Sequence, residues 1–390
     1  MSGTANIDFF VSCPPGLEKL LATEMRAKSL AIPPAPAKEI PAEATLTGED
    51  TGGLLLRGTL ADVYTVNLVS QLASRVIVRL GTFYSASFSE LRKKASRLPW
   101  EKYLRAGQQV SLRVTCHRSK LYHSGAVAER VLGAINDCFA RFNKASAPCQ
   151  EAKTGQLVLV RMENDQCTIS IDSSGEPLYK RGYKLAVAKA PLHENIAAAM
   201  LYFSCWDGVQ PLIDPFCGSG TIPIEAAIHS RGTFPGIKRR FQFMEWPCFD
   251  QDIWQQISDG NTQEAMNSGP IFGYDRDAGA IQMASDNARR WDTASNIHFA
   301  NQAVSYLECP APQGTIITNP PYGLRIRENK DLRNLYARFG SILKSKFNGW
   351  TVVLLSPDDR LTANLGLGDP SDVLSFKNGG IPVKMLKFQL

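Results

Sequence analysis

Apolar residues at two different spacings divide the first 172 residues into short strands and helices. Runs that alternate apolar and polar residues predict strands, whereas apolar residues three and four positions apart predict amphipathic helices. On these grounds we predict strands at residues 6–13, 53–57, 75–80, 109–116, 156–162 and 166–171, and helices at 16–28, 59–71, 88–98 and 123–142. This mixture predicts an α+β arrangement.

From residue 190 onward the pattern becomes a regular alternation of helix and strand. We predict helices at 192–202, 221–229, 277–290 and 331–347, strands at 212–214, 271–275, 296–299, 315–318 and 350–355, and an antiparallel hairpin at 373–376 and 383–388. Repeated strand–helix–strand units predict a mostly parallel, doubly wound α/β sheet of Rossmann-like type. Ligands of such sheets bind beyond the carboxyl ends of the strands, where the strand order reverses.

The length of the chain, 390 residues, exceeds that of a usual single domain. The turn Ser173-Ser-Gly175 separates the two patterns, and we place the main domain boundary there. Nine cysteines without a C-x-x-C pair and five histidines without ligand spacing favour reduced thiols in a cytoplasmic protein and predict no metal site. No apolar run in the sequence approaches the roughly 20 residues of a membrane span, so we expect no membrane association.

Positive charge is concentrated in one part of the chain. Between Arg75 and Arg130 there are twelve Lys and Arg residues against three Glu, an excess of nine, although the whole chain carries only +6. A basic face confined to one unit is typical of proteins that bind a polyanion. Because no amphipathic helix with a large apolar face accompanies it, nucleic acid is favoured over a membrane surface.

The stretch Asp214-Pro-Phe-Cys-Gly-Ser-Gly220 joins a predicted strand to a predicted helix. Gly218 and Gly220 allow the backbone to turn sharply and to approach a ligand. The stretch has neither G-x-G-x-x-G nor a following Gly-Lys-Ser/Thr, so phosphate binding is poorly supported. A carboxylate at Asp214 suits the cationic methionine end of S-adenosylmethionine, and Asp275, at the end of the next strand, can accept hydrogen bonds from both ribose hydroxyls.

A second stretch, Asn319-Pro320-Pro321-Tyr322, follows the predicted strand at 315–318. The exocyclic amine of a base is a poor nucleophile because its lone pair is delocalised into the ring. The Asn319 side-chain oxygen and the Pro320 carbonyl can each accept one amine hydrogen, which localises the lone pair toward a methyl donor. The prolines fix the backbone, and Tyr322 offers a face on which the base can stack. The two stretches together predict methyl transfer to an amine by positioning and electrostatics.

These stretches, in this order, resemble the bacterial THUMP-domain methyltransferases that form N2-methylguanosine in large-subunit ribosomal RNA. The resemblance covers nearly the full chain and rests also on Cys13-Pro-Pro-Gly-Leu-Glu18, Arg75-Val-Ile-Val-Arg79, Leu91 with Pro99-Trp100, Lys180-Arg-Gly-Tyr-Lys184 and Ala190-Pro-Leu-His-Glu194. It implies a ferredoxin-like domain at residues 1–65, a THUMP RNA-binding domain at 66–172 and a Rossmann-like catalytic domain at 173–390.

The resemblance also implies roles for individual residues. Leu192, with Pro191, matches a strip that covers the methionine end of the donor. Related enzymes usually carry an Asp for the adenine amino group after the third strand. This chain reads Asn301-Gln-Ala-Val-Ser305, so either Asn301 or Gln302 makes that contact or the contact is weak. The remaining matches are Asp214, Gly218, Ser219 and Gly220 to the donor loop, Asp275 to the ribose acid, and Asn319, Pro320, Pro321 and Tyr322 to the amine site.

We therefore predict a cytoplasmic, metal-independent RNA methyltransferase that uses S-adenosylmethionine, releases S-adenosylhomocysteine and forms N2-methylguanosine in 23S ribosomal RNA. We expect a monomer with no obligate protein partner. Residue spacing supports amine methylation, whereas guanine and ribosomal RNA rest on the resemblance. Three alternatives remain open: a tRNA guanine-N2 methyltransferase, an adenine-N6 DNA methyltransferase, and a non-catalytic RNA-binding assembly factor.

Overall fold

The computed structural model describes residues 6–27, 52–142, 148–184, 192–260, 268–322, 329–378 and 380–390. Its strands are β1 (Ile7–Ser12), β2 (Gly53–Gly58), β3 (Arg75–Tyr84), β4 (Gln109–His117), β5 (Gln150–Glu151), β6 (Gln156–Glu163), β7 (Gln166–Asp172), β8 (Leu212–Asp214), β9 (Ile271–Asp275), β10 (Ile297–Asn301), β11 (Thr315–Thr318), β12 (Thr351–Ser356), β13 (Asp372–Asn378) and β14 (Ile381–Gln389). Its helices are α1 (Glu18–Ala27), α2 (Leu60–Val69), α3 (Phe88–Ala95), α4 (Ser124–Phe142), α5 (Glu194–Ser204), α6 (Thr221–Ser230), α7 (Gln251–Asp259), α8 (Ala278–Arg290), α9 (Asn329–Lys346) and α10 (Asp359–Ala363). None of the helices in these ranges is long and apolar enough to span a membrane.

One sheet runs through the whole first half of the chain, in the order β2-β1-β3-β7-β6-β4-β5. Strand β3 joins its two parts, because it pairs antiparallel with β1 on one side and with β7 on the other. The register of this ten-residue strand with β7 shifts between Arg79 and Gly81, beyond the residues that pair with β1. The predicted boundary at residue 65 falls inside α2, and the division into 1–65, 66–172 and 173–390 stays a prediction.

The second sheet has the order β10-β9-β8-β11-β12-β14-β13. Strands β10, β9, β8, β11 and β12 are parallel to one another, and β14 is antiparallel to both β12 and β13. The predicted Rossmann-like α/β sheet with a terminal antiparallel hairpin is confirmed. The chain leaves β8 toward β9 and later returns to β8's other side as β11. The strand order therefore reverses between β8 and β11, and their carboxyl ends line the crevice.

The central strands are buried on both faces, as strands of a parallel sheet must be when helices cover each side. Successive side chains point to opposite faces. Accordingly, Ile316 packs in a cluster that contains Phe339 of α9, whereas Ile317 packs in the other cluster, which contains Ala197 of α5. These paired cores fix the positions of the strand ends.

An aromatic insertion after α6 fastens the second sheet to the first half of the chain. Phe243 stacks on Tyr64 of α2 with ring centroids 4.4 Å apart, and Trp246 donates from Nε1 to Gln156 Oε1 at 2.8 Å. All four of these side chains are buried. Helix α7, at the end of this insertion, was not predicted from the sequence, although its apolar residues Ile253, Trp254 and Ile257 recur at helical spacing and pack against the core.

A buried ion pair also joins the two halves. Arg181 and Glu225 of α6 are 1% and 0% exposed, and Arg181 NH2 lies 3.5 Å from Glu225 Oε2. The same guanidinium donates to the Gln71 carbonyl at 2.5 Å, and Tyr183 Oη donates to Glu225 Oε1 at 3.1 Å. Burial raises the pKa of Glu225, and the Arg181 charge opposes that rise. Helix α6 is therefore held from its interior side by residues that precede the second sheet.

Replacing Arg181 with Met is expected to lower the free energy of unfolding by about 3–5 kcal/mol, because it leaves the Glu225 carboxylate buried without its cation. Urea unfolding followed by fluorescence measures the loss. The matched control is Arg57→Met, since Arg57 pairs with Asp8 at 2.7 Å on the surface and contributes little there. An equally small change in both variants would contradict the assigned role of the buried pair.

Candidate active site

The glycine turn after β8 is closed by backbone hydrogen bonds, and its two glycines have different surroundings. Gly218 and Gly220 have φ of +53° and +80°, which glycine adopts without strain. A Cβ on Gly220 would lie 2.9 Å from the Cβ of Ala284, whereas one on Gly218 would meet no described atom within 4 Å. Close packing of α6 against α8 thus requires Gly220, and the space beside Gly218 is open for a ligand.

The Asp214 carboxylate joins the ends of the two strands at the crevice. Its side chain is buried, and Oδ1 accepts from Thr318 Oγ1 at 2.7 Å and from the Phe216 amide at 3.2 Å. Burial raises the pKa of Asp214 to about 7, and the hydrogen bond from Thr318 opposes the rise. Because Thr318 ends β11, this bond fixes the position of the residue that follows it, Asn319.

Asp275, at the end of β9, is bound directly to the glycine turn. Its Oδ2 accepts from the Gly218 amide at 2.9 Å, and its Oδ1 accepts from the Asp277 amide at 3.0 Å. A carboxylate has about four lone-pair sites, so each oxygen retains capacity for a further donor. The structure thus brings Asp214, Gly218 and Asp275 together at one edge of the sheet, as the sequence predicted.

The Asn319 side chain presents an unsatisfied acceptor at the same edge. Asn319 directly follows β11, and its Oδ1 is buried without a hydrogen-bond partner among the described residues. An unsatisfied buried acceptor costs about 1–3 kcal/mol, so its retention points to a group that binds there. Tyr336 of α9 donates to the Pro321 carbonyl at 3.4 Å and helps to hold the turn. Tyr322 packs against the apolar cluster around α9.

The Ser219 carbonyl is held by a chain of hydrogen bonds that the sequence did not reveal. It accepts from Asn287 Nδ2 at 3.0 Å, and Asn287 Oδ1 accepts from Arg290 at 2.8 Å. The same Arg290 nitrogen also donates to the Tyr183 carbonyl at 3.2 Å. Helix α8 therefore ties the glycine turn to the segment that contains the buried Arg181.

Nitrogen atoms of Asn301 and Gln302 donate hydrogen bonds to backbone carbonyls within the protein. Asn301 Nδ2 and the Gln302 amide donate to the Asp275 carbonyl at 3.0 and 2.9 Å, and Gln302 Nε2 donates to the Tyr306 carbonyl at 3.1 Å. An adenine amino group requires an acceptor, which a side-chain amide oxygen can provide. The contact of either residue with adenine stays a prediction.

Leu192 is buried just before α5, which begins two residues later than the sequence predicted. Its carbonyl accepts from Lys184 Nζ at 2.7 Å, and the same ammonium lies 3.5 Å from Glu194 Oε1. Burial lowers the pKa of Lys184. These contacts fix the segment at the amino end of α5, whereas its role toward a donor stays a prediction. Pro191 and Gly323 lie outside the described residues.

Sequence reasoning missed two residues that hold the site, Thr318 and Tyr336. Thr318 is a hydroxyl residue at a strand end next to Asn319, which was the available signal. Its partner, Asp214, lies 104 positions away in the sequence, so the hydrogen bond between them could not be predicted from a local pattern. Tyr336 carried no such signal. No group of three metal-ligating side chains occurs within the described ranges.

Comparison with known proteins identifies the family of three regions of the chain. The profile of the RMKL-like methyltransferase domain matches residues 181–386, that of the RlmL ferredoxin-like domain matches 8–77, and that of the THUMP domain matches 85–172. The Synechocystis protein slr0064, named as an RNA methyltransferase, is 33% identical and the match covers 87% of this chain and 88% of that protein. The ribosomal RNA large subunit methyltransferase K/L of Syntrophotalea carbinolica is 32% identical over 99% of this chain but only 54% of its own length.

The fold itself also matches a solved structure. SMU.472, named as a methyltransferase and solved in complex with SAH, superposes with a TM-score of 0.84 at 25% identity, covering 98% of each chain. The sheet order and the matched family models together identify a Rossmann-like methyltransferase that carries a THUMP domain. The chain belongs to the RMKL-like methyltransferase family. It spans about half the length of the K/L relatives that it matches.

Asp214→Asn is expected to stabilise the unliganded protein at pH 8 but not at pH 4. The pKa of Asp214, about 7 in the folded state against 3.8 ordinarily, means that the folded state holds an extra proton between these values, so stability falls as pH rises through that window. Above pH 7, ionisation of the buried Asp214 destabilises the folded state by up to roughly 4 kcal/mol. Asn avoids this destabilisation, and its side-chain oxygen can still accept the hydrogen bond from Thr318. Urea unfolding at the two pH values measures this difference; a pH-independent effect would contradict it.

Proposed function

We propose that this chain transfers a methyl group from S-adenosylmethionine to the N2 amine of guanosine in RNA, with 23S ribosomal RNA as the substrate. The observation that carries the proposal is the buried Asn319 Oδ1, unsatisfied among the described residues, just after β11 and beside the glycine turn. The SAH complex of SMU.472 supports the donor, and the names of the K/L relatives support the substrate. The proposal includes the three-domain division predicted from the sequence, a cytoplasmic location and a monomeric state.

The donor would lie across the open space beside Gly218. The Asp214 carboxylate offers an anionic partner near the cationic methionine end of the donor. The two Asp275 oxygens, already oriented by backbone amides, can each accept a ribose hydroxyl. Because the protein sets these groups before the donor arrives, little reorganisation accompanies binding.

The amine would bind opposite the donor's sulfonium. Asn319 Oδ1 and the Pro320 carbonyl each accept one N2 hydrogen, which directs the nitrogen lone pair at the methyl carbon. The N–C bond forms as the C–S bond breaks, S-adenosylhomocysteine leaves, and the amine's surplus proton passes to water. Tyr322 provides a ring face for the guanine. Catalysis here depends on placement of the two reactants.

The RNA would be held by the basic part of the first half. Seven exposed cations between Arg75 and Arg130 form no ion pair among the described residues: Lys93, Arg97, Lys102, Arg105, Arg113, Arg118 and Lys120. Others are engaged within the protein, as Arg92 is with Asp137 at 2.7 Å. Unpaired surface cations bind phosphates without reading sequence, which suits recognition of RNA by its shape and backbone.

Identification of the methylated nucleoside tests the proposed function. Protein-free 23S rRNA, tRNA and DNA are incubated with methyl-labelled S-adenosylmethionine, digested and separated. We expect label in N2-methylguanosine from 23S rRNA. Label only in tRNA would show that tRNA is the substrate, and label in N6-methyladenine would show that adenine is the methylated base. No label in any acceptor would favour a non-catalytic role.

Asn319→Ala is expected to lower kcat by about 10²-fold, by analogy with the loss of one preorganised hydrogen-bonding group at a reacting centre. Affinity for S-adenosylhomocysteine, measured by calorimetry, should stay within a few-fold of wild type. The matched control is Asn296→Ala at the opposite edge of the sheet, where Asn296 bonds to Ser268 and Arg231. Wild-type turnover in Asn319→Ala would refute the role given to this side chain.

A further inference from the structure

A cavity of about 310 Å³ lies between the first half of the chain and the catalytic sheet, separate from the residues assigned above. Its walls come from the loop after β1, the residue before β3, the two ends of the segment that joins the halves, and the turn between β13 and β14. The lining residues used below are Ser74, Tyr179, His193, Asn195, Lys377 and Asn378.

This cavity lies at the edge of the sheet where the amine would bind. Helix α5 ends beside the start of β8, where Trp206 Nε1 donates to the Gln210 carbonyl at 2.8 Å, so its other end, near His193, is at the carboxyl edge. Strand β12 ends at Ser356, which pairs with Lys384, so the start of β14 at Ile381 projects beyond that edge. Three strand spacings, about 14 Å, separate β13, which carries Lys377 and Asn378, from β11, which Asn319 follows.

The walls of the cavity are fixed against each other. The Lys377 amide of β13 donates to the Pro15 carbonyl at 3.0 Å. A Cβ on Gly16 would lie 2.6 Å from the Ser375 carbonyl oxygen, so only a glycine permits this approach. The loop after β1 is thus seated on the hairpin, and the cavity between them is a built feature of the fold.

The lining combines flat rings, an unsatisfied amide and one cation. Tyr179 and His193 are stacked with centroids 4.4 Å apart and planes 6° from parallel, and burial lowers the pKa of His193, which favours a neutral imidazole. Asn195 is 1% exposed; its Nδ2 donates to Ser74 Oγ at 3.2 Å, while its Oδ1 has no partner among the described residues. Lys377 is exposed, forms no ion pair in the described part of the chain, and has no carboxylate beside it in the lining.

We propose that this cavity binds an unpaired nucleotide of the substrate RNA that neighbours the methylated guanosine. The base stacks on the Tyr179–His193 pair, its amino or imino hydrogen reaches Asn195 Oδ1, and its phosphate reaches Lys377. The inference rests on the proposed function, because the acceptor must be RNA. Aromatic stacking with one phosphate contact is a common way to hold single-stranded nucleic acid, and it would fix a target that has been turned out of its helix.

RNA affinity tests the inference. Anisotropy of a fluorescein-labelled single-stranded RNA dodecamer is titrated with the full chain at several salt concentrations. His193→Ala is expected to weaken binding about 10-fold, within the range for loss of one stacked base. Lys377→Gln should reduce the slope of log affinity against log salt by about 0.7, the value for one phosphate of a single strand. Lys387→Gln, on the same hairpin but toward the other edge, is the matched control and should leave the slope unchanged.

A second measurement protects the test against misfolding of a variant. Wild-type protein is irradiated with the same dodecamer containing 4-thiouridine, and the cross-linked peptides are identified by mass spectrometry. Peptides containing Tyr179 or His193 are expected. The inference would be overturned if His193→Ala and Lys377→Gln both melt at the wild-type temperature and still bind the RNA with wild-type affinity. It would also be overturned if the cross-links occur only in other peptides.

The two proposals fail in different ways. If wild-type protein methylates RNA but His193→Ala and Lys377→Gln retain its RNA affinity and salt dependence, the cavity is not an RNA subsite and the proposed function stands. If wild-type protein methylates no RNA, the proposed function fails, and the subsite that rests on it is withdrawn.

Discussion

The hydrogen bond from Thr318 to the buried Asp214 carboxylate is the interaction on which the site depends. It crosses the point where the strand order of the catalytic sheet reverses, and it joins the end of β8 to the end of β11. One strand leads into the glycine turn and the other into the Asn-Pro-Pro-Tyr turn. Together with the pairing of β8 and β11, this bond of 2.7 Å holds the place proposed for a donor next to the place proposed for an acceptor. It also keeps in the interior a carboxyl group whose burial opposes ionisation.

Two kinds of polar burial occur in this protein, and they have different consequences. Around Arg181 and Glu225, the two buried charges offset each other and backbone carbonyls accept from the guanidinium, although Arg181 Nε and Glu225 Oε2 form no hydrogen bond among the described residues. At Asn319 and Asn195, a buried amide oxygen lacks a partner among the described residues. The first arrangement stabilises the fold, and the second stores a cost that a bound group can relieve. Both unsatisfied oxygens lie toward the carboxyl edge of one sheet, which suits a long acceptor contacted at more than one point.

The sequence predicted those parts of the site that a short stretch encodes. Asp214, Asp275 and Asn319 each follow an apolar strand, and parallel strands carry their carboxyl ends to one edge, so their proximity followed from the pattern alone. The resemblance supplied guanine and ribosomal RNA, which no spacing of residues encodes. Contacts between distant segments were not predictable: Thr318 with Asp214, Asn287 with the Ser219 carbonyl, and the long β3 that unites two units in one sheet. Each depends on packing of elements whose relative placement a local pattern does not determine.

A crystal structure of the chain with S-adenosylhomocysteine and a guanosine nucleotide tests the central claim most directly. The account predicts the ribose hydroxyls on Asp275, the sulfur beside the glycine turn, and the guanine N2 within hydrogen-bonding distance of Asn319 Oδ1, on the line from the sulfur. The bond between Thr318 and Asp214 should be intact. A nucleotide that turns another edge toward Asn319, or a homocysteine sulfur on the far side of β8, would contradict it.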